Sequence, residues 1–218
     1  MAIETRRLPA EELEYPSSDG QPMADNTKQF RWIVTIQGGL DALFQSDPNV
    51  FVAGDLLWYP VEGRPALRRA PDALVVFGRP KGDRRAYLQW KEDGIGPQVV
   101  FEVLSPKNTV AEMFRKLEFY DDYGVEEYYL YDLDGGELTG WQRHNGNLRV
   151  IETISGWVSP RLGVRFDLEA GELVLTRPDG THFLSYVELA NQRDQERERA
   201  ERLAARLRAL GIDPDAEK

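Results

Sequence analysis

The chain has 218 residues, 41% hydrophobic and 29% charged, a balance that suits one sizeable core with appendages. It has no cysteine, which excludes disulfide frameworks and thiolate-ligated zinc. The formal net charge of −10 argues against a surface coated in basic residues, no apolar run approaches the ~18 residues of a membrane span, and the opening MAIETRRLPAEELEYP lacks the apolar core of a signal peptide, so a cytoplasmic protein with no membrane partner is expected.

Residues 1–26 carry Pro9, Pro16, Pro22, Ser17, Ser18 and Gly20 and read as an extended leader. Thr27 is the predicted cap of a helix over 27–44, with Ile33, Ile36, Leu40 and Leu43 on one side. Residues 50–59 read as a strand whose apolar pattern is interrupted by Gly54 and Asp55. A Pro/Gly/Arg loop over 60–70 leads to a short apolar strand, 72–77, between Pro71 and Gly78. The stretch 78–97 is a long excursion with a short strand over 85–90. Residues 98–104 (QVVFEVL) form a strand apolar enough to be covered on both faces.

Ser105-Pro106-Lys107-Asn108 turns the chain into a helix over 109–123, which Gly124 ends as a C′ glycine. The strand 127–132 follows. Strand, helix, strand in this order implies a right-handed crossover and a parallel pair. Beyond Gly135-Gly136, short alternating strands over 138–143, 148–153, 164–167 and 173–176 suggest an antiparallel β appendage on the same core. From Tyr186 the pattern is helical, with Ala200, Leu203, Leu207 and Leu210 at steps of three, four and three. Such a helix fits pairing of two copies into a homodimer as well as docking on its own domain. The expected organisation is a leader (1–26), a mixed α/β domain (27–185) and an amphipathic helix (186–218).

Two carboxylates stand where burial is costly. Asp72 opens the apolar strand PDALVVF, and Glu102 lies inside VVFEVL. An unpaired buried carboxylate costs several kcal/mol or takes up a proton, so such positions call for a partner, either a basic side chain or a hard divalent cation such as magnesium. If the two strands are neighbours, both acids reach one point at a sheet end. Lys116 falls at the border of the stripe formed by Val110, Met113, Leu117 and Tyr120, where a lysine can lay its stem on the core and bring its ammonium into a cleft. There it can orient or help deprotonate a water, or stabilise charge on a phosphate. Plainer readings compete: an arginine partner for Glu102, a Pro-Asp turn for Asp72, and an ordinary pair of Glu112 with Lys116 worth ~0.3–0.5 kcal/mol.

Residues 61–91 hold Arg64, Arg68, Arg69, Arg79, Lys81, Arg84, Arg85 and Lys91 against Glu62, Asp72 and Asp83, a local excess of base that can attract a polyanion or simply face solvent. His144 and His182, each beside a turn, read as solvent-facing. Gly38-Gly39 lacks the setting of a phosphate loop.

PDALVV followed by VVFEVLSPKNTVAEMFRKLEFYDDYGVEEYYLYD resembles the core of the Uma-two family, a bacterial family abundant in cyanobacteria and described as restriction endonucleases of the PD-(D/E)XK type. WQRHNGNLRVI, SPRLGVRF and the tail RLRALGIDP are similar to later parts of that family. The resemblance implies a restriction-endonuclease-like core, a mixed central sheet flanked by helices, with the β appendage and the C-terminal helix added. It places metal-binding acids at Asp72 and Glu102. Leu104 stands where the superfamily motif has its lysine, and the resemblance is to the variant that moves this lysine to the next helix, at Lys116. Glu112 stands where the family often has aspartate, and Asp55 is a possible extra acid. The implied activity is Mg²⁺- or Mn²⁺-dependent hydrolysis of DNA by Asp72, Glu102 and Lys116. The alternative is a catalytically weak or inactive binding or assembly module on the same scaffold.

Overall fold

The strand expected over QVVFEVL becomes a central strand of the main sheet. Strand β5 (Val99–Leu104) is buried along nearly its whole length and runs parallel to β6 (Glu127–Asp132), with Val99 opposite Glu127 and Leu104 opposite Asp132. The computed structural model describes residues 13–214; the first twelve residues of the expected leader lie outside them. Around the parallel pair stand β1 (Val50–Ala53), β3 (Ala73–Phe77), β7 (Glu137–His144) and β8 (Asn147–Val150), giving a six-stranded mixed sheet in the order β1-β3-β5-β6-β7-β8. Every other pairing in it is antiparallel.

Each face of the sheet has its own core. Helix α1 (Thr27–Leu43) packs Ile33, Ile36 and Leu40 against Val75, Val99, Phe101 and Tyr129. The same face carries a separate three-stranded sheet of β9 (Trp157–Val158), β10 (Arg165–Glu169) and β11 (Glu172–Thr176). Gly39 is needed in α1, because a Cβ there would meet the Phe183 ring at 2.2 Å. The opposite face packs Leu74, Val76, Val100 and Tyr128 against Phe119 and Tyr120 of helix α2 (Val110–Asp122) and against Trp58 and Tyr87 from the short parallel pair β2 (Trp58–Tyr59) and β4 (Tyr87–Leu88).

Several sequence expectations are corrected. The cap of α1 is Asn26, whose side chain accepts from the Gln29 N–H; Thr27 is already helical. The strand expected over 50–59 is two strands, broken at Asp55, which takes a left-handed φ of 49°. The β region beyond Gly136 is not one appendage: β7 and β8 extend the central sheet, and only β9 to β11 form a sheet of their own. β9 itself, two residues long, has no counterpart among the predicted strands. Val110, assigned to the buried stripe of α2, is 75% exposed; the buried residues of that helix are Phe119 and Tyr120.

The chain divides into two compact units, one ending at Phe183 and one starting at Leu184. The second holds α3 (Tyr186–Ala209), which begins with a capping box between Ser185 and Glu188 and carries surface pairs such as Arg197–Glu201. Among the described residues no helix is long and apolar enough to cross a membrane.

Candidate functional site

Antiparallel register places the acids. Ala73 of β3 lies opposite Phe101 of β5, so Asp72, one step before β3, comes level with Glu102 on the face that packs against α2. The Asp72 carboxylate also accepts the Val103 N–H at 2.6 Å, which fixes it to the edge of β5. The same reasoning carries to β1: Ala53 pairs with Leu74, and the Asp55 N–H donates to the Pro71 carbonyl at 3.0 Å. Asp55, just beyond β1, Asp72, just before β3, and Glu102, inside β5, are thus close enough to act on one another's charge.

Glu102 is buried, 2% exposed, and α2 supplies both of its partners. The Lys116 ammonium donates to Oε2 at 2.8 Å, and the Tyr120 hydroxyl donates to Oε1 at 2.5 Å. The two donors are four residues apart and so share one face of the helix. Neither Glu112 nor an arginine takes the place offered to them by the plainer readings; Glu112 lines the cleft nearby. Tyr120 was missed as a partner of Glu102, although its spacing from Lys116 was the available signal.

The electrostatics are those of crowded anions. Burial pushes the Asp72 carboxyl well above the usual carboxylate range and the Glu102 charge adds to it, while Lys116 and the Val103 N–H oppose the shift. Asp55, exposed as a whole residue, still loses enough solvent at the cleft wall to have its carboxyl raised, with Asp19 and Glu102 adding repulsion. Burial works against the Lys116 ammonium, but the charge and hydrogen bond of Glu102, with Asp72 and Glu112 behind them, hold its pKa above the ordinary lysine value. Burial raises Tyr120 far above a normal phenol, and Glu102 adds to this. The Tyr128 hydroxyl, pushed up by burial and by Glu102 and Asp72, is buried with no hydrogen-bond partner among the described residues.

All of this opens on a cleft of about 800 Å³, lined by Asp55, Asp72, Lys116 and Glu112, by Arg68 and Arg69 from the 60–70 loop, and by Lys107 and Arg115. Residues 19–25 form one wall. There Asp25 accepts from the Lys107 ammonium and the Ser105 hydroxyl, each at 2.6 Å. Gln29 donates from its amide to the Val103 carbonyl at 2.8 Å. A polar residue one turn before Ile33 in the buried stripe of α1 was the signal for it.

The donor set suits a hard cation. A carboxylate oxygen has two lone-pair positions, so the single donor on each Glu102 oxygen and on Asp72 Oδ2 leaves capacity on both acids. Among the described residues no three Asp, Glu, His or Cys side chains form a ready-made metal cage. A carboxylate lining an open cleft, Asp72, with the buried Glu102 level with it, suits magnesium or manganese, which keep several waters, and does not suit a closed zinc site. The two histidines are exposed; the His182 ring lies 3.1 Å from the Thr176 hydroxyl.

The basic segment 61–91 is not one surface. Arg79 and Arg84 are clamped by Glu92, and Arg79 also meets Asp93, both acids just beyond the segment. Only Arg68 and Arg69 of that segment reach the cleft of the acids.

A family model described as "Uma2: Putative restriction endonuclease" matches residues 4–170. No curated protein matches the chain. Among solved structures, a crystal structure of a "putative nuclease belonging to DUF820" from Anabaena variabilis is similar at 14% identity and a TM-score of 0.46, covering 64% of this chain and 74% of that one.

Proposed function

The chain belongs to the Uma2 family, and from that premise we propose that it is a Mg²⁺-dependent endonuclease that hydrolyses DNA phosphodiester bonds, with Mn²⁺ able to replace Mg²⁺. One observation carries this reading. A buried glutamate and a second carboxylate whose charge it repels stand level on neighbouring strands, with a lysine ammonium 2.8 Å from the glutamate, and the second carboxylate and the lysine line an open cleft.

Asp72 and Glu102 would hold the cation. When bound, it polarises a phosphoryl oxygen and makes a water acidic enough to attack at neutral pH. Lys116 has a distinct part. In the metal-free protein burial opposes its charge, but Glu102 and Asp72 hold its pKa above the ordinary lysine value. It orients the attacking water by donation and offsets negative charge that develops on the phosphate. Tyr120 keeps the Glu102 carboxylate in place. The finer expectations, a cytoplasmic location and a homodimer formed through α3, belong to the same proposal.

One observation favours the inactive-module alternative: Lys116 and Tyr120 already engage both oxygens of Glu102. Two measurements decide. Supercoiled and linear DNA are incubated with Mg²⁺ or Mn²⁺, and the metal-free protein is titrated with the same ions while its melting temperature is followed. Cleavage by the wild-type chain, lost in E102Q and D72N, together with a metal-induced rise in Tm supports the enzyme. Absence of both selects the module.

A further inference from the structure

Among the described residues, several cations are held by acids, while three on the cleft wall are not. Arg79, Arg84, Arg143, Arg161 and Arg165 each have a carboxylate partner, and Lys107 on the cleft wall is held by Asp25. Arg68, Arg69 and Arg115 line the cleft, and none of the three forms an ion pair among the described residues. Arg68 and Arg69 are also half-buried. A guanidinium taken partly out of water without an anion is unfavourable, and each of these has five N–H donors to satisfy.

Their internal bonds position them and leave most donors free. Arg68 Nη1 donates to the Pro65 carbonyl at 2.7 Å, and Arg69 Nη1 donates to the Arg68 carbonyl at 2.8 Å. The Arg69 backbone exchanges both of its hydrogen bonds with Trp58 of β2, at 2.7 and 3.2 Å. Its guanidinium carbon lies 5.2 Å from the centre of the Phe119 ring of α2. The loop that carries the pair leaves the sheet at Asp55 and returns at Asp72, so it is anchored at both ends beside the acids. Arg115 comes from α2, directly before Lys116.

We infer that Arg68, Arg69 and Arg115 form a preorganised clamp for the phosphates that flank the scissile bond of a nucleic-acid strand. The inference rests on the hydrolytic reading above and adds the residues that bind the substrate backbone. Planar guanidinium forks match phosphate oxygens in pairs, and a strand in the cleft supplies phosphates on either side of the one at the acids. The clamp also offers a chain of net charge −10 a local cationic site for a polyanion, on the wall of the cleft that holds Asp72 and Lys116.

The test is fluorescence anisotropy of a short labelled DNA duplex with the full-length chain, with Ca²⁺ in place of Mg²⁺ and over a range of salt. R68A/R69A is expected to bind about tenfold or more weakly, with the slope of log affinity against log salt reduced by about two. R68K/R69K keeps the charge but loses the fork and is expected to fall in between. R149A, which removes an exposed arginine outside the cleft, is expected to bind as wild type. Thermal melting of each variant confirms that it is folded. Wild-type affinity and salt slope in a folded R68A/R69A, with cleavage by the wild type intact, overturn the clamp and leave the hydrolytic reading standing. Failure of the wild type both to bind and to cleave DNA overturns the two together.

Discussion

Two glutamates stand on the neighbouring parallel strands β5 and β6, buried almost equally at 2% and 1% exposure, on opposite faces of the sheet. Glu127 accepts from the Tyr129 hydroxyl and the Arg161 N–H, each at 2.9 Å, and from the buried Ser159 hydroxyl. All three donors are neutral groups fixed by the fold, and they join β6 to the turn beyond β9. Glu102 is served by a lysine and a tyrosine from one helix, and across the strand gap it faces Asp72, a second carboxyl that its charge helps to push up. Burial alone does not separate the acid held by the fold from the one we propose to serve the reaction. The contrast lies in whether the donors close the account or leave like charges pressed together beside an open cleft.

The largest effect that sharpens this contrast is on catalysis. E102Q keeps the shape of the side chain and removes its charge, and cleavage of DNA with Mg²⁺ is expected to fall by about 10²–10³-fold, the scale on which single electrostatic groups act in active sites. E127Q is expected to cleave as wild type. Equal loss in both variants, measured on protein shown to be folded, would break the comparison.

The ranking reverses for stability. E127Q leaves the Ser159 and Tyr129 hydroxyls and the Arg161 N–H competing for a neutral acceptor, and hydrogen bonds to charged groups contribute roughly 1.5–3 kcal/mol each. Denaturant unfolding is expected to show a loss of about that size for E127Q and a smaller one for E102Q, where relief of the repulsion on Asp72 offsets part of the lost bonds to Lys116 and Tyr120.

Much of this site is legible in the sequence. Asp72 opens one apolar strand and Glu102 interrupts another, and the two can meet if those strands are neighbours; the register of Ala73 opposite Phe101 is what puts them on a common face. Lys116 follows from helical spacing. Glu127 is not legible in the same way, because an acid at the first position of a strand breaks no pattern, and its partners Ser159 and Arg161 arrive more than thirty residues later in a turn. The division of the basic segment escapes for a related reason. Glu92 and Asp93, which neutralise Arg79 and Arg84, lie just past its end, and only the folded excursion brings them back. The order β1-β3-β5-β6-β7-β8 is equally out of reach, since local patterning fixes strands and faces but not which distant strand comes alongside.

A smaller effect concerns Asp72 itself. Burial first, and then the charge of Glu102, raise its carboxyl in the metal-free protein. In D72N that repulsion is gone, while the amide oxygen still accepts the Val103 N–H. The metal-free variant is expected to melt about 2–4 °C higher at neutral pH, which corresponds to about 1 kcal/mol in a domain of this size. It is also expected to lose the rise in Tm that Mn²⁺ gives the wild type. A lower Tm for D72N would place Asp72 with Glu127, as an acid whose charge the fold needs.

The smallest effect separates Glu102 from a third kind of acid. Glu92 is held below the usual carboxylate range first by the Arg84 hydrogen bond and then, against some burial, by Arg79. A carboxyl depressed in the folded state binds fewer protons there than in the unfolded chain. Its stabilisation is therefore complete above the ordinary value of 4.5 and is lost as pH falls through the lower folded value. Partly exposed pairs of this kind contribute up to about 1 kcal/mol. Urea unfolding from neutral pH down into the acid range is expected to show E92Q less stable than wild type at neutral pH, with the difference closing as the carboxyl of the wild type protonates. DNA binding is expected to survive, because the clamped Arg79 and Arg84 lie outside the cleft that holds Arg68 and Arg69. A loss of DNA binding in E92Q matching that of R68A/R69A would show that the paired arginines also serve the substrate, and that an ion pair is no guide to which cations are idle.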